Sequence, residues 1–214
     1  MNSDAKMTLL YDDDSIVVVE KISGFLSVPG RGEHNLDSVS WRVKNMFDGC
    51  IEQPSVHRLD MDTSGLLVLA LSKDAHRHLS IQFQNRETDK VYEALLEGHI
   101  KKTSGTIELP FRLDVDNRPY QIFDPEHGKM GITKWRKIAE EGDFTRIEFK
   151  PVTGRTHQLR VHSAHSLGLG VPIVGDPLYG SGDEAGKLKL HARYLAFTHP
   201  VSGERMSFES KVPF

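Results

Sequence analysis

Apolar residues along this chain recur with the spacings of both strands and helices. Residues 15–19 and 66–71 form nearly continuous apolar runs, which are typical of buried strands. Residues 36–47 place apolar side chains three or four positions apart, which predicts one buried face of a helix. Ser72 is a capping residue after the second run, and the spacing beyond it predicts a helix to about residue 86.

The second half of the chain shows mainly the short runs of strands. Further strands are predicted at residues 91–96, 105–109, 132–138 and 144–149. Glycine-containing turns at 141–143 and 201–203 predict two hairpins.

Two segments interrupt this strand pattern. Thr153 is a candidate capping residue, and the segment after it predicts a basic helix that reaches about Leu167. Residues 111–130 contain Pro119 and Gly128 and predict a loop-rich excursion, either a substrate-contacting loop or a mobile insertion. The pattern as a whole indicates an α+β fold.

Composition limits the class of protein. At 214 residues, with 38% hydrophobic and 27% charged residues, the chain is large enough for one domain or two closely fused lobes. The single cysteine, Cys50, excludes an intrachain disulfide and a metal site made only of cysteines. No run of about 18 apolar residues and no signal-peptide pattern is present, so we expect a cytoplasmic protein. Nothing in the sequence argues for an obligate interface, and we expect a monomer.

The distribution of charge matters more than the net charge. A formal net charge of −3 is unfavourable for a protein that binds phosphate groups. Acidic residues cluster at 12–14 and 140–141, whereas residues 149–175 contain none. The basic side chains and histidines of that segment are Lys150, Arg155, Arg160, His157, His162 and His165. A locally positive face of this kind can still attract RNA, although a chance fluctuation in charge produces the same pattern.

The densest group of ionisable and turn-forming residues is HRLDMDTSGL at 57–66, which runs into the second apolar run. Polar residues beside a buried strand indicate a functional loop on a rigid support. Because side chains alternate along an extended chain, Arg58 and Asp60 are expected on the same side, which pairs a cation with a candidate nucleophile. Taken alone, the same residues also fit an ordinary capped turn.

The string at 57–66 resembles the H-R-L-D-x-x-T-S-G-L signature of the RluA family of pseudouridine synthases at every fixed position. Further matches follow in the family's order. They are KVYEA at 90–94, GRTHQLRVH at 154–162 and LHA at 190–192. The resemblance extends from about residue 9 to the C-terminus.

The resemblance implies the pseudouridine-synthase fold, which is a bent, mainly antiparallel sheet with flanking helices and a central catalytic cleft. It implies a tail at 1–8 and a catalytic domain at 9–214, with no room for the N-terminal S4-type RNA-binding domain of many relatives. The implied reaction breaks the glycosidic nitrogen bond of a uridine within RNA, rotates the uracil and rejoins it to the ribose through carbon 5. This isomerisation requires no metal, cofactor or external donor.

The resemblance also implies roles for individual residues. Asp60 is the essential carboxylate, and Arg160 is the cation expected to pair with it and keep it ionised in a site shielded from water. Tyr92 is expected to pack on the target uracil, and Arg58 to fill the gap left when that uridine flips out of the RNA. Further expected RNA contacts are His57, Arg155 and His157 within the motifs, and Arg31 and Arg118 outside them. The chemical step that Asp60 performs first stays open.

The short form of the chain, together with LSVPGR at 26–31 and DNRP at 116–119, looks most like the dual-specificity branch of the family. That branch acts on the first nucleotide of the tRNA anticodon loop and on a hairpin loop of 23S rRNA. Bases in such single-stranded loops are already partly unstacked, which suits an enzyme that flips its target. Related branches that modify other uridines stay open.

Other functions compete with this one. A noncatalytic RNA-binding protein or RNA chaperone on the same fold would keep the basic surface without turnover. DMDT at 60–63 also matches the D-x-D-x-T motif of magnesium-dependent phosphatases, although there the motif follows a buried strand and here the apolar run comes after it. His157, His162 and His165 suggest zinc by residue type, but their spacing lacks a partner glutamate.

Overall fold

The computed structural model describes residues 6–32 and 35–214, and in these ranges it has ten strands and three helices. The strands are β1 (Met7–Asp12), β2 (Ile16–Lys21), β3 (Ser64–Ala70), β4 (Asp89–Leu96), β5 (Ser104–Leu113), β6 (Gln121–Phe123), β7 (Lys129–Glu141), β8 (Phe144–Pro151), β9 (Leu190–Thr198) and β10 (Arg205–Glu209). The helices are α1 (Val39–Met46), α2 (Lys73–Asn85) and α3 (Gln158–Ala164). This mixture confirms the predicted α+β class.

The elements belong to two compact units. Unit 1 comprises the chain up to Lys90 together with Ala192–Pro213, and unit 2 comprises Val91–His191 together with Phe214. β1 begins at Met7, inside the expected tail of 1–8, and the first five residues of that tail lie outside the described residues. Within the described ranges, none of the helices is long and apolar enough to cross a membrane.

The sheet of unit 1 has the strand order β1-β2-β3-β9, and β10 also pairs with β9. The pairs β1–β2, β2–β3 and β9–β10 are antiparallel, and Val18 lies opposite Val68 in the second of them. All seven residues of β3 are buried. Since successive side chains point to opposite faces, both faces of β3 are covered, which accounts for its continuous apolar sequence.

Helix α2 begins where the sequence predicts it. Ser72 is its N-cap, and the Ser72 hydroxyl accepts a hydrogen bond from the Ala75 N–H at 3.3 Å. Ala75 and Leu79 pack into the core of unit 1 with apolar residues of β2 and β3. Gln82, also on the buried face, exchanges two hydrogen bonds of 2.7 Å with the backbone of Thr198 in β9. The Gln82 amide therefore ties the helix to the sheet.

Helix α1 is shorter than the helix predicted over 36–47. It begins at Val39, after the N-cap Ser38. The Val39 N–H donates to the Leu26 carbonyl at 2.9 Å, so the start of the helix is fixed by the preceding loop. Leu36 lies outside the helix and is 46% exposed, so it fits the helical spacing of apolar residues but is not part of a buried helix face.

The sheet of unit 2 has the strand order β4-β8-β7-β5-β6, and its pairs are antiparallel. The hairpin predicted at 141–143 joins β7 to β8 and is confirmed, as is the unit 1 hairpin at 201–203. The prediction of a loop-rich excursion over 111–130 is wrong in part, because β5 continues to Leu113, β6 lies inside the segment and β7 begins at Lys129. Pairing between strands here overrides the turn-forming residues of the local sequence.

Helix α3 spans only Gln158–Ala164, so the predicted helix over 153–167 is wrong at both ends. Its N-cap residue has a left-handed backbone, with a φ of 56°, and makes no side-chain capping bond. The Thr153 hydroxyl instead donates to Gln158 Oε1 at 2.7 Å and accepts from the Ile132 N–H at 2.8 Å. Thr153 therefore fastens the segment before the helix to β7 and does not cap the helix.

His162 on α3 is fully buried, and neither ring nitrogen has a hydrogen-bond partner among the described residues. Its ring packs edge-on against Phe111, with ring centres 5.7 Å apart. A Cβ at position 131 would lie 2.8 Å from the imidazole Nε2, which accounts for Gly131 in β7. Burial lowers the pKa of His162 to about 4, so the ring is neutral at physiological pH.

Replacing His162 by Leu is expected to make the protein less sensitive to acid. The imidazole pKa is about 4 in the folded protein against 6.5 ordinarily, so its contribution to stability is complete above pH 6.5 and is lost as the pH falls. Between pH 7 and pH 4, wild-type protein should lose about 3 kcal/mol more unfolding free energy than His162→Leu. Urea unfolding at both pH values measures the difference, and the same pH dependence in both proteins would contradict it.

Candidate active site

Asp60 lies on a loop of unit 1, residues 57–63, that leads into β3. Leu59 is buried while Asp60 is half-buried and Arg58 is exposed, which is the alternation of an extended segment. The buried Ser27 hydroxyl donates to the Leu59 carbonyl at 2.7 Å and accepts from the Leu59 N–H at 3.1 Å. The Thr63 N–H then closes a turn by donating to the Asp60 carbonyl at 3.1 Å. Hydrogen bonds therefore fix the backbone that carries the Asp60 carboxylate.

A buried lysine supports the same loop. Lys21, the last residue of β2, is fully buried. Its ammonium donates to three carbonyls, those of Ile22 at 2.9 Å, Phe25 at 2.7 Å and Met61 at 2.8 Å. These bonds use all three N–H donors of an ammonium. Burial lowers the pKa of Lys21 to about 7, and the nearby Asp62 and Asp60 carboxylates oppose that shift. Lys21 thus binds the backbone directly after Asp60 and brings a positive charge near its carboxylate.

Gly65, at the start of β3, meets a requirement for close approach. Its φ is 113°, in a region that side-chain-bearing residues rarely adopt. A Cβ at this position would lie 2.3 Å from the Ala192 carbonyl oxygen in β9. Glycine at this position therefore lets β3, which follows the Asp60 loop, lie close to the backbone of β9.

His57 supports the loop at its start. Its Nε2 accepts a hydrogen bond from the Val68 N–H of β3 at 3.0 Å, and its ring stacks on Phe83 of α2 with centres 4.4 Å apart. Burial, and to a smaller extent the charge of Lys90, lowers the pKa of His57 to about 3. A neutral imidazole held by a strand and a helix is a structural support, and its contact with RNA stays a prediction.

Arg160 lies on α3 in unit 2 and is 3% exposed. Its guanidinium pairs in two-pronged fashion with the fully buried Asp176: Nε donates to Oδ2 at 2.8 Å, and Nη2 donates to Oδ1 at 2.6 Å. The Tyr179 ring centre lies 5.3 Å from the Arg160 Cζ. The structure thus gives Arg160 an anionic partner that the sequence does not predict, and the expected pairing of Arg160 with Asp60 stays a prediction.

The Tyr179 hydroxyl connects two further parts of unit 2. It lies 2.9 Å from His157 Nδ1 and accepts from the Gln121 N–H at 2.8 Å. Gln121 directly follows the loop at 114–120, which carries the exposed Arg118. The contacts of Tyr179 therefore fix His157 at the N-cap of α3 and the end of the loop that holds Arg118.

Tyr92 lies on β4 opposite Phe149 of β8 and packs half-buried against the core of unit 2. Tyr92 is only partly buried, and packing on a base would require its ring to be accessible. The remaining expected RNA contacts, Arg155 in unit 2 and Arg31 in unit 1, are exposed. Their roles stay predictions.

A serine, a histidine and an aspartate also meet in unit 1, but not as a catalytic triad. Ser15 Oγ and Asp13 Oδ2 both contact the same nitrogen of His199, Nε2, at 3.2 and 2.8 Å. His199 Nδ1 accepts from the N–H groups of Val201 and Ser202, and the Ser15 hydroxyl donates to Asp13 Oδ1 at 2.7 Å. In a triad the serine hydroxyl and the orienting carboxylate contact opposite ring nitrogens of the histidine, which is the base. The cluster therefore ties two turns together.

Lys21, Asp176 and Tyr179 are absent from the sequence predictions. A signal for Lys21 exists, because it continues the alternation of Val17 and Val19 and so falls on a buried position of its strand. Asp176 and Tyr179 lie in the turn-forming string GDPLYG at 175–180, whose local sequence does not indicate a contact with α3.

The chain is similar in sequence to RNA pseudouridine synthases along most of its length. The family model described as RNA pseudouridylate synthase matches residues 15–165. The dual-specificity RNA pseudouridine synthase RluA of Yersinia pestis is 46% identical over 97% of this chain and 100% of its own length. The protein of the same name from Escherichia coli strain K12 is 45% identical over 97% of this chain and 94% of its own length.

Two solved human structures are similar in fold. Human RNA pseudouridylate synthase domain containing 1 matches with a TM-score of 0.76 and 29% identity, over 97% of this chain and 84% of its own. Human RNA pseudouridylate synthase domain containing 4 matches with a TM-score of 0.73 and 23% identity, over 96% of this chain and 88% of its own. These similarities confirm the fold that the motifs imply.

Replacing Lys21 by Met is expected to destabilise unit 1 around the Asp60 loop. The substitution keeps an unbranched chain but removes the donor from three carbonyls. Loss of buried hydrogen bonds to a charged group should lower the free energy of unfolding by roughly 2–4 kcal/mol, measured by urea denaturation.

Lys44→Met is the matched control, because it removes a lysine that pairs with Glu52 at the surface. It is expected to change the free energy of unfolding by less than about 0.5 kcal/mol. Wild-type stability in Lys21→Met would show that the ammonium does not support the loop.

Proposed function

This chain belongs to the RluA family of RNA pseudouridine synthases, and on that premise we propose that it isomerises specific uridines in structured RNA loops, with Asp60 as the essential group. The enzyme is an isomerase of the RNA pseudouridine synthase class. Its catalytic residues in this proposal are Asp60, Tyr92 and Arg160.

The placement of Asp60 is the observation that carries the proposal. Asp60 is half-buried, on a loop without regular secondary structure whose backbone is nevertheless held by Ser27 and Lys21. A group that reacts with a nucleotide must be held in place before the substrate arrives. Lys21 also lies near the Asp60 and Asp62 carboxylates, which oppose the lowering of its pKa by burial.

The proposed reaction exchanges one bond to the ribose for another. The bond from the uracil nitrogen to ribose carbon 1 breaks, the uracil rotates, and its carbon 5 bonds to the same ribose carbon. The proton that leaves carbon 5 is balanced by one gained at the freed nitrogen, so product and substrate have the same atoms. Asp60 supplies the carboxylate, Arg160 acts as its electrostatic partner, and Tyr92 packs on the uracil.

The proposed substrates are the tRNA anticodon loop, at its first nucleotide, and a hairpin loop of 23S rRNA. Relatives that cover 97% of the chain at 44–46% identity bear the name dual-specificity RNA pseudouridine synthase, which supports two RNA targets for this chain as well. Because both RNAs are cytoplasmic in bacteria, we propose that the protein acts there, as a monomer.

Asp60→Asn is expected to abolish pseudouridine formation, because the amide keeps the shape of the side chain but not its charge. Wild-type and variant protein are incubated with unmodified tRNA and 23S rRNA fragments in EDTA, and pseudouridine is mapped by carbodiimide primer extension. Loss of about 10³-fold or more in rate is expected, as for removal of an essential catalytic group. Asp14→Asn, which neutralises an exposed carboxylate of unit 1, should react at the wild-type rate.

The outcomes separate the competing functions. If pseudouridine forms in both RNAs and its formation depends on Asp60, the dual-specificity proposal is supported. If it forms in only one RNA, the enzyme acts on that RNA alone. Unchanged product with Asp60→Asn would overturn the role of that residue. RNA binding without product in wild-type protein would favour a noncatalytic RNA-binding protein, and phosphatase activity restored by Mg²⁺ would favour the phosphatase.

Arg58→Ala is expected to weaken base flipping more than RNA binding. Arg58 is exposed two residues before Asp60, where it can fill the gap left by a flipped uridine and offset part of the unstacking cost of a few kcal/mol. In the Asp60→Asn background, the fluorescence of 2-aminopurine beside the target uridine should rise on binding, and Arg58→Ala should reduce that rise. Arg77→Ala, on the exposed face of α2, is the control. An undiminished rise with Arg58→Ala would exclude the gap-filling role.

A further inference from the structure

A turn in unit 2, residues 175–180, reaches α3 through two side chains. Asp176 is fully buried and binds Arg160 through both of its carboxylate oxygens. Its Oδ1 also accepts from the N–H groups of Leu178 at 2.9 Å and Tyr179 at 3.1 Å. The orientation of the carboxylate is therefore set by the backbone of its own turn, and the guanidinium must follow it.

The second side chain of the turn acts on the face of the guanidinium. Tyr179 lies with its ring centre 5.3 Å from the Arg160 Cζ, within the range of a cation–π contact. The ring cannot swing away easily, because its hydroxyl contacts His157 Nδ1 and accepts from the Gln121 N–H. Arg160 is thus restrained along one edge by Asp176 and on one face by Tyr179.

This restraint fits an arginine that must meet a second anion in a fixed direction. A two-pronged pair uses two of the five N–H donors of a guanidinium and fixes its plane, so the other donors point in defined directions. A buried ion pair adds little net stability compared with apolar side chains of similar volume. Stability alone therefore does not account for two buried charges at this position.

We propose that Asp176 is a positioning residue for catalysis, which orients the Arg160 guanidinium through the two-pronged pair, with Tyr179 restraining its face. The inference rests on the proposed function of Arg160 and adds to it residues outside the HRLD, KVYEA and GRTHQLRVH strings. Asp176 itself does not touch RNA in this proposal and acts only through Arg160.

Asp176→Asn is the main test. The amide can still accept from the turn through one oxygen, but its nitrogen faces a guanidinium donor and its charge is gone. Glu148→Gln is the matched control, because Glu148 is also buried in unit 2 and forms a two-pronged pair with Arg136, at 3.2 and 3.0 Å. Thermal unfolding of both variants reports any general loss of stability.

The first readout does not depend on turnover. In wild-type protein, the Arg160 Nε–H should give a proton NMR signal protected from exchange with water, which is assigned by its absence in Arg160→Lys. The signal should lose its protection in Asp176→Asn and keep it in Glu148→Gln. Protection that survives in Asp176→Asn would overturn the proposal, even if wild-type protein makes no pseudouridine and the proposed function itself fails.

The second readout separates positioning from folding. Asp176→Asn should lower kcat by about 10- to 100-fold and leave KM within about threefold, as for a small displacement of a reacting group. In Arg160→Lys protein, adding Asp176→Asn should lower kcat by less than about threefold further, because the two residues act as one unit. Two results would show that Asp176 has only a structural role. The first is that Asp176→Asn lowers kcat as strongly in Arg160→Lys protein as in wild-type protein, and the second is that Glu148→Gln lowers kcat as much as Asp176→Asn does.

Discussion

The Asp60 loop depends on one buried charge. Residues 57–63 belong to no strand, so the shape of the loop is set by a few hydrogen-bond donors on other segments. The ammonium of Lys21 is the central one, because it binds carbonyls on the segment after β2 and the carbonyl of Met61 together. An uncompensated charge in this position would be costly, and the three carbonyls and two nearby carboxylates compensate it. The same ammonium therefore joins the two segments and lies near the carboxylate of Asp60.

In unit 2, too, buried charge is balanced by a nearby group, and this reduces the positive charge that the protein can offer to RNA. The segment at 149–175 has no acidic residue, but the structure does not turn it into a uniform positive face. Arg160 is buried and its charge is balanced by Asp176, while His162 is buried and neutral. Exposed positive charge from this segment comes from Arg155 and from Lys150, whose ammonium lies 3.8 Å from Glu148. Attraction of phosphate therefore depends on individual exposed side chains and not on the composition of the segment.

Local sequence predicts the elements whose burial has a regular period. The helix after Ser72 and the buried strand at 66–71 are found close to their predicted limits, because one face or both faces of each must be apolar. The helix predicted from Thr153 does not begin there, because the Thr153 hydroxyl accepts from the Ile132 N–H of β7 and donates to the Gln158 side chain instead of accepting from a backbone N–H of the helix. Contacts between residues far apart in sequence decide such cases.

The same distinction applies to the candidate site. Motifs identify Asp60 and Arg160, because these residues belong to strings that match a family in order and spacing. They do not identify Lys21 or Asp176, since each contacts the Asp60 loop or Arg160 across many residues of sequence, 40 from Lys21 to Met61 and 16 from Arg160 to Asp176. Contacts of this kind can therefore be found only from the structure.

The geometry also bears on the competing chemistries. A zinc site requires ring nitrogens that converge on one point, whereas His162 lies edge-on to Phe111 and His157 Nδ1 contacts the Tyr179 hydroxyl. His165 Nδ1 accepts from the Leu167 N–H, and no group of three metal-binding side chains is present among the described residues. In the phosphatase motif the aspartate follows a buried strand, whereas here Asp60 precedes β3. The strand order around Asp60 is therefore the reverse of what the phosphatase motif requires, so the match of DMDT at 60–63 to that motif does not extend to its structural setting.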